Sequence, residues 1–142
     1  MAELLLRGWN TAIPEVDVGD DIFVVRDQDG NLCRVQVKTA IAKETKSSVQ
    51  VMYNISLAQL ETPITPEVTF VFAVRLGTEW NSFIVIDRPV LYQERHLNKI
   101  GTERGDRLIL RLRFHDSRVF CGDVDFTKYE NNWARFPRIM HE

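Results

Sequence analysis

PEVDVGDDIFVVRDQDGNLCRVQVKTA, residues 14–40, divides into two apolar strands about a tight turn. Ile22, Phe23, Val24 and Val25 form a short apolar run behind Asp21, which predicts a strand. Asp29 and Gly30 supply turn chemistry, the glycine being free to take a positive φ. Residues 32–39 alternate: Cys33, Val35 and Val37 share one face, and Arg34, Gln36 and Lys38 the other. Pairing these strands brings an acid, an amide and an ammonium group to one place. Cys33, on the apolar face, is expected in the core.

Those groups suit one kind of chemistry. Asp21 offers carboxylate oxygens, Gln36 an amide oxygen, and the Val37 carbonyl lies between Gln36 and Lys38. A hard divalent cation takes such oxygens and keeps several waters. It lowers the pKa of a bound water and neutralises phosphate charge. Lys38 is placed to orient that water or to steady developing charge. The polar face of any exposed hairpin also collects residues of these types, so spacing alone leaves that reading open.

The order acid, some fifteen residues, then Gln-x-Lys between apolar strands resembles the PD-(D/E)XK nuclease superfamily in its Q-x-K variant. The run D-x-G-x-D, an apolar strand and then R-V-Q-V-K-T-A is similar to a bacterial branch of that superfamily. This branch is related in pattern to archaeal Holliday junction resolvases and a cyanobacterial intron-encoded homing endonuclease. The likeness is strongest over residues 8–40 and looser over residues 70–91. It implies a restriction-endonuclease-like fold: a mixed sheet flanked by helices, with an antiparallel C-terminal part. It implies Asp21, Gln36 and Lys38 as catalytic residues, Asp21, Gln36 and the Val37 carbonyl as metal ligands, Mg²⁺ or Mn²⁺ as cofactor, and DNA as substrate. Asp17 and Asp20 are rival acids; Asp21 directly precedes the strand. One such site cuts one strand, so cutting two calls for a homodimer or higher homo-oligomer. Members usually carry a Glu on a longer first helix. Here residues 2–8, AELLLRG, hold Glu3 alone and start midway through that expected helix.

The 142 residues suffice for one domain with a core. With no run near eighteen apolar residues and no export signal, the expectation is a cytoplasmic protein that crosses no membrane. Cys33 and Cys121 lack metal-site spacing and are expected as reduced thiols. Net charge is −2, but it is unevenly spread. Residues 1–87 hold seven basic against twelve acidic side chains, and residues 88–118 eight against four. The basic part suits phosphates, as it suits a solvated face.

Further along, a brief extended entry over residues 9–14 is expected to turn Ala12 and Ile13 inward. Residues 40–48 read as an exposed polar loop or a ragged strand extension, a plain connector whose Lys43 and Lys46 also lie within reach of a nucleic acid. Residues 49–55 alternate and predict a strand antiparallel to the second. One helical turn fits residues 56–60, ahead of Pro63 and Pro66. Continuous apolarity over residues 68–76 predicts a central strand. Residues 82–86 predict another, and a helix capped by Asp87 runs to Gly101. In residues 107–114 the leucines face inward and Arg107, Arg111 and Arg113 outward. Those arginines line a phosphate groove, pair with acids, or discourage edge pairing. His115, Asp116 and Ser117 are contiguous, which makes a turn rather than a catalytic triad. Asp125 is expected to cap a helix through Trp133. Two other readings stand beside the nuclease: a catalytically silent nuclease-fold domain that binds nucleic acid or protein, and an unrelated β-rich assembly module with Trp9, Trp80 and Trp133 in its core or contacts.

Overall fold

The structure, a computed structural model, describes residues 1–14, 21–26 and 30–140. Asp17, Asp20 and the turn residue Asp29 lie outside the described residues. The chain opens with α1 (Ala2–Leu6), which ends ahead of Gly8 at φ +87°. Three strands follow: β1 (Asn10–Ala12), β2 (Ile22–Arg26) and β3 (Asn31–Ile41). β1 runs antiparallel to β2, and β2 to β3, with Gly30 at φ +66° in the turn. Strands one and two of the quoted stretch therefore pair, so the wide separation that would favour the unrelated assembly module is not found.

Then come β4 (Lys43–Glu44), β5 (Val49–Ser56), α2 (Leu57–Glu61), β6 (Val68–Leu76), β7 (Glu79–Asp87) and α3 (Arg88–Asn98). The chain closes with β8 (Thr102–Arg104), β9 (Arg107–His115), β10 (Arg118–Cys121), β11 (Val124–Asp125) and a 3₁₀ turn at Thr127–Tyr129. Among the described residues these strands form two sheets. The first has the order β1-β2-β3-β6-β7, and β3 and β6 pair in parallel with Gln36 opposite Phe70 and Lys38 opposite Phe72. The second is antiparallel, in the order β11-β10-β9-β5-β4 with β8 on β9. A mixed sheet with helices and an antiparallel C-terminal part is the expected fold class.

Alternation sorts the apolar side chains into two cores. Phe70, Phe72, Val74, Ile84 and Ile86 face the second sheet and pack on Tyr53, Ile55, Leu108, Leu110 and Leu112. Val35, Val71 and Val85 face the other way and are covered by Leu4, Trp9, Trp133 and Phe136. β6 is buried on both faces from Val68 to Val74, as continuous apolarity requires. Each side chain removed from water stabilises the fold by about 1.5–3 kcal/mol. Tyr53 bridges the layers, its hydroxyl donating to the Ala73 carbonyl at 2.9 Å, and burial raises its pKa well above the ordinary value.

Several expectations are corrected. β5 does not pair with β3; it lies in the second sheet between β9 and β4, because Val51, Tyr53 and Ile55 supply the facing half of the inter-sheet core. Ala12 and Ile13 are exposed, and Trp9 buries instead, its indole N–H donating to the Pro137 carbonyl at 2.8 Å. Of the two readings of residues 40–48, the strand extension holds over residues 40–44, where β3 runs on to Ile41 and β4 follows. Asp87 precedes α3 but does not cap it with its side chain, which is held by Thr69 and Arg135. The helix stops at Asn98, where Lys99 turns left-handed at φ +56°. Gly101 is left at a close approach, where a Cβ would meet Leu108 Cδ1 at 2.7 Å. Only the turn Thr127–Tyr129 is helical near Asp125, whose Oδ1 does accept from Thr127 N at 2.8 Å. Cys33 is half-buried at the edge of its core, and Cys121 is fully buried with its thiol pushed up to about 11 by burial. Trp80 is exposed.

Replacing Tyr53 with Phe removes the hydroxyl and with it the buried hydrogen bond to the Ala73 carbonyl. Unfolding free energy measured with urea is expected to fall by about 1–3 kcal/mol.

Candidate active site

The site sits where two strands part. β2 pairs with β3 only as far as Val35, opposite Ile22. Beyond Val35 the β6 side of β3 stays paired to Ile41, while no described strand pairs with the β2 side. A backbone N–H left there needs an acceptor. Asp21, one residue ahead of β2, is anchored by its own N–H to the Val35 carbonyl at 3.1 Å. Its Oδ2 then accepts from Val37 N at 2.7 Å and from Gln36 Nε2 at 2.6 Å. The carboxylate thus replaces a strand partner. In a strand a residue's N–H and C=O leave on the same edge, so the Val37 carbonyl also faces this notch.

Asp21 is exposed and Lys38 half-exposed, whereas Gln36 is buried, 5% of its surface remaining accessible. Lys38 lies two residues beyond Gln36 on the same face, about 6.6 Å along the strand. Sequence reasoning missed Gln59 on α2. Its Nε2 donates to Gln36 Oε1 at 2.9 Å. α2 is itself well held. Ser56 caps it by accepting from Gln59 N at 3.3 Å, and the buried Arg88 donates to the Leu60 carbonyl at 2.8 Å. Arg88 also grips Glu67 with two bonds of 2.6 and 2.8 Å, and that hydrogen-bonded pairing holds the Glu67 carboxyl below its ordinary range. The one signal that pointed to α2 was the apolar turn after Ser56; nothing in the spacing tied Gln59 to Gln36.

Glu3 lies elsewhere. α1 packs on the face of the first sheet that carries Val35 and Val37, opposite to Gln36, and Glu3 Oε1 accepts from Arg7 Nε at 2.9 Å. Among the described residues no three His, Cys, Asp or Glu side chains gather as a metal cluster.

The basic residues lie on the second sheet. Leu108, Leu110 and Leu112 point into the core, so Arg107, Arg111 and Arg113 point outward. The registers add Lys43 opposite Gln50 and Gln50 opposite Arg113 on the same face, and Arg104 opposite Arg107. β9 lies inside its sheet, so discouraging edge pairing is not the task of these arginines. Acids near this face are Asp106, 3.7 Å from Arg107 Nε, and Asp125, 3.1 Å from Arg118. Arg113 lies over the Phe120 ring at 5.0 Å. Lys46 is exposed in the β4–β5 turn, by a shallow cleft shared with His115 and Asp116. Asp116 and Ser117, at φ +49° and +60°, form a turn, as expected of contiguous His-Asp-Ser.

No protein-family model matches the sequence, and no curated protein matches it. In three dimensions the chain is similar to the structure of a bacterial homing endonuclease, I-Ssp6803I. The TM-score is 0.58 at 20% identity, over 94% of this chain and 82% of that one. The likeness is one of fold, and the fold is nuclease-like.

Because the charged Asp21 carboxylate accepts from two N–H groups, its removal breaks both bonds and leaves Val37 N to solvent. Asp21→Ala is expected to lower unfolding free energy by about 1–3 kcal/mol in urea titrations. A gain in stability would mean that the carboxylate is a strained group rather than a backbone cap.

Proposed function

We propose that the chain is a metal-dependent endonuclease of the PD-(D/E)XK type, in its Q-x-K variant, acting on DNA. The observation that carries this reading is the direct contact of the Asp21 carboxylate with the Gln36 amide in a notch of β3, with Lys38 next on the same face. The nuclease-like fold supports it. Hard oxygen donors fit Mg²⁺ or Mn²⁺: the exposed Asp21 carboxylate, the Gln36 amide oxygen once turned outward, and the Val37 carbonyl. One carboxylate is sufficient where water and substrate phosphate complete the coordination. Bound there, the cation supplies an acidified water and charge neutralisation at the scissile phosphate. Lys38, a fixed cation on the same face, orients the attacking water and steadies charge on the phosphate. The outer face bearing Lys43, Arg107, Arg111 and Arg113, with Lys46 beyond it, holds the DNA backbone. A homodimer or higher homo-oligomer brings a second site for the second strand. The proposed setting is the cytoplasm; among the described residues no helix is long and apolar enough to cross a membrane.

A supercoiled plasmid with Mg²⁺ or Mn²⁺ tests the assignment. The parent chain is expected to nick it, with Lys38→Ala and Asp21→Ala each slower by about 10²–10⁴-fold. Equal cleavage by all three would overturn the assignment.

A second reading has its own support: among the described residues the notch holds one acid, and Glu3 is across the sheet on Arg7. A silent domain on this scaffold binds nucleic acid or protein without cutting. Titration with Mg²⁺ separates the two, since the silent domain shows no affinity that depends on Asp21. Both readings share the basic face. Arg111→Ala and Arg113→Ala are each expected to weaken DNA binding evenly across sequences and to lower the salt dependence by about one phosphate contact.

A further inference from the structure

One row of side chains on the second sheet takes no part in the chemistry of the notch. On β5, Val51, Tyr53 and Ile55 enter the inter-sheet core, so Gln50, Met52 and Asn54 stand on the outer face, and all three are exposed. Met52 keeps 51% of its surface in water, although it sits in the middle of a strand. Gln50 Nε2 makes only a long contact, 3.5 Å, to Ser48 Oγ. Cations flank the row on both sides. Lys43 lies opposite Gln50 on β4, while Arg113 lies opposite Gln50 and Arg111 opposite Met52 on β9. Among the described residues neither Lys43 nor Arg111 has an acid partner, and Asp125, at the far edge of the sheet, is paired with Arg118. Lys43, Gln50, Met52, Arg111 and Arg113 line one shallow depression of about 480 Å³.

We propose that this row reads base edges in the major groove of double-stranded DNA, with Gln50, Met52 and Asn54 as the side chains that determine specificity. The inference rests on the DNA reading above and adds the residues that choose the sequence. Chemistry points to bases rather than phosphates. A neutral amide adds little to the attraction of a phosphate, but it sets a donor beside an acceptor, the complement of adenine N7 and its amino group. Met52 offers an apolar surface to a thymine methyl. The favoured sites therefore carry A·T pairs under the row. Width agrees: neighbouring strands lie about 4.8 Å apart, so β4, β5 and β9 span about 10 Å, against a major groove about 12 Å wide. The flanking cations then fall beside the two phosphate backbones, where contact positions the duplex without reading it. Pitch agrees as well, since successive members of the row are about 6.8 Å apart, close to two base pairs at about 3.4 Å each. The row also leads towards the notch: β5 passes through the Ser56 cap into α2, whose Gln59 donates to Gln36 at 2.9 Å. Duplex RNA does not fit, because its major groove is too deep and narrow for side chains to read.

Selection from a randomised DNA duplex library by the full chain, run without divalent cation so that nothing is cut, tests the row. The parent is expected to enrich a motif containing A·T pairs. Gln50→Ala and Asn54→Ala are each expected to lose about ten- to hundredfold of the preference at one or two neighbouring base pairs, with the salt dependence of binding as in the parent, because no phosphate contact is removed. Uracil in place of thymine is expected to weaken the parent on its own motif but to leave Met52→Ala indifferent. All three side chains are exposed, so urea midpoints at the parent's value are expected for the variants. A motif unchanged in Gln50→Ala and Asn54→Ala, binding by the parent with no preferred sequence, or equal affinity for duplex RNA overturns the base reading; plasmid cleavage that still depends on Lys38 then leaves the nuclease standing. A motif that depends on these residues in a chain that cuts nothing supports the base reading and removes the nuclease. Absence of any duplex binding by the parent overturns both.

Discussion

The parallel pairing of β3 with β6 is the constraint from which the rest follows. A parallel pair has no hairpin to join it, so the chain must leave the first sheet after β3 and return. That excursion builds β4, β5 and α2, which places the second sheet and the α2 platform on the Gln36 side of the first. The same pairing holds one edge of β3 to Ile41 while β2 leaves the other edge at Val35. A half-paired strand is a place where backbone groups are available for chemistry. The carboxylate of Asp21 satisfies Val37 N without closing the notch to solvent.

The buried Arg88 and Glu94 side chains each have several partners, as desolvation requires. Arg88 is tied to Glu67 and Leu60, and Tyr129 and Asn98 both donate to Glu94, at 2.7 and 2.6 Å. Burial pushes the Glu94 carboxyl up, but those hydrogen bonds and the Lys128 charge outweigh it and leave it below the ordinary value. Arg88 fixes α2, and α2 carries Gln59 to the site, so a half-buried ion pair is linked to the orientation of a site amide. Its role is geometric more than energetic, since an ion pair taken out of water returns little net stability.

Much of this was legible along the chain because it depends on neighbours in sequence. Alternation over residues 31–41 set Gln36 and Lys38 on one face, and Asp21 preceded the strand that pairs with theirs. The continuous apolar run of β6 marked the central strand. The leucines and arginines of β9 divided as their spacing required. Errors came where a long-range choice ruled. β5 has the alternation of any half-buried strand, which says nothing about which sheet takes it. Asp87 was placed to cap α3, yet Arg135, from the other end of the chain, holds its carboxylate.

Sequence alone determined the main strands, the two faces of β3, β6 and β9, and the identity of the acid, amide and ammonium groups, because strand periodicity and hairpin pairing act over a few residues. Tertiary structure alone decided that β2 releases β3 at Val35, that β5 joins β9, that Glu3 lies across the sheet, and that Gln59 reaches Gln36. Those outcomes depend on which apolar faces bury each other and which distant donors then meet which acceptors. No local spacing encodes that choice.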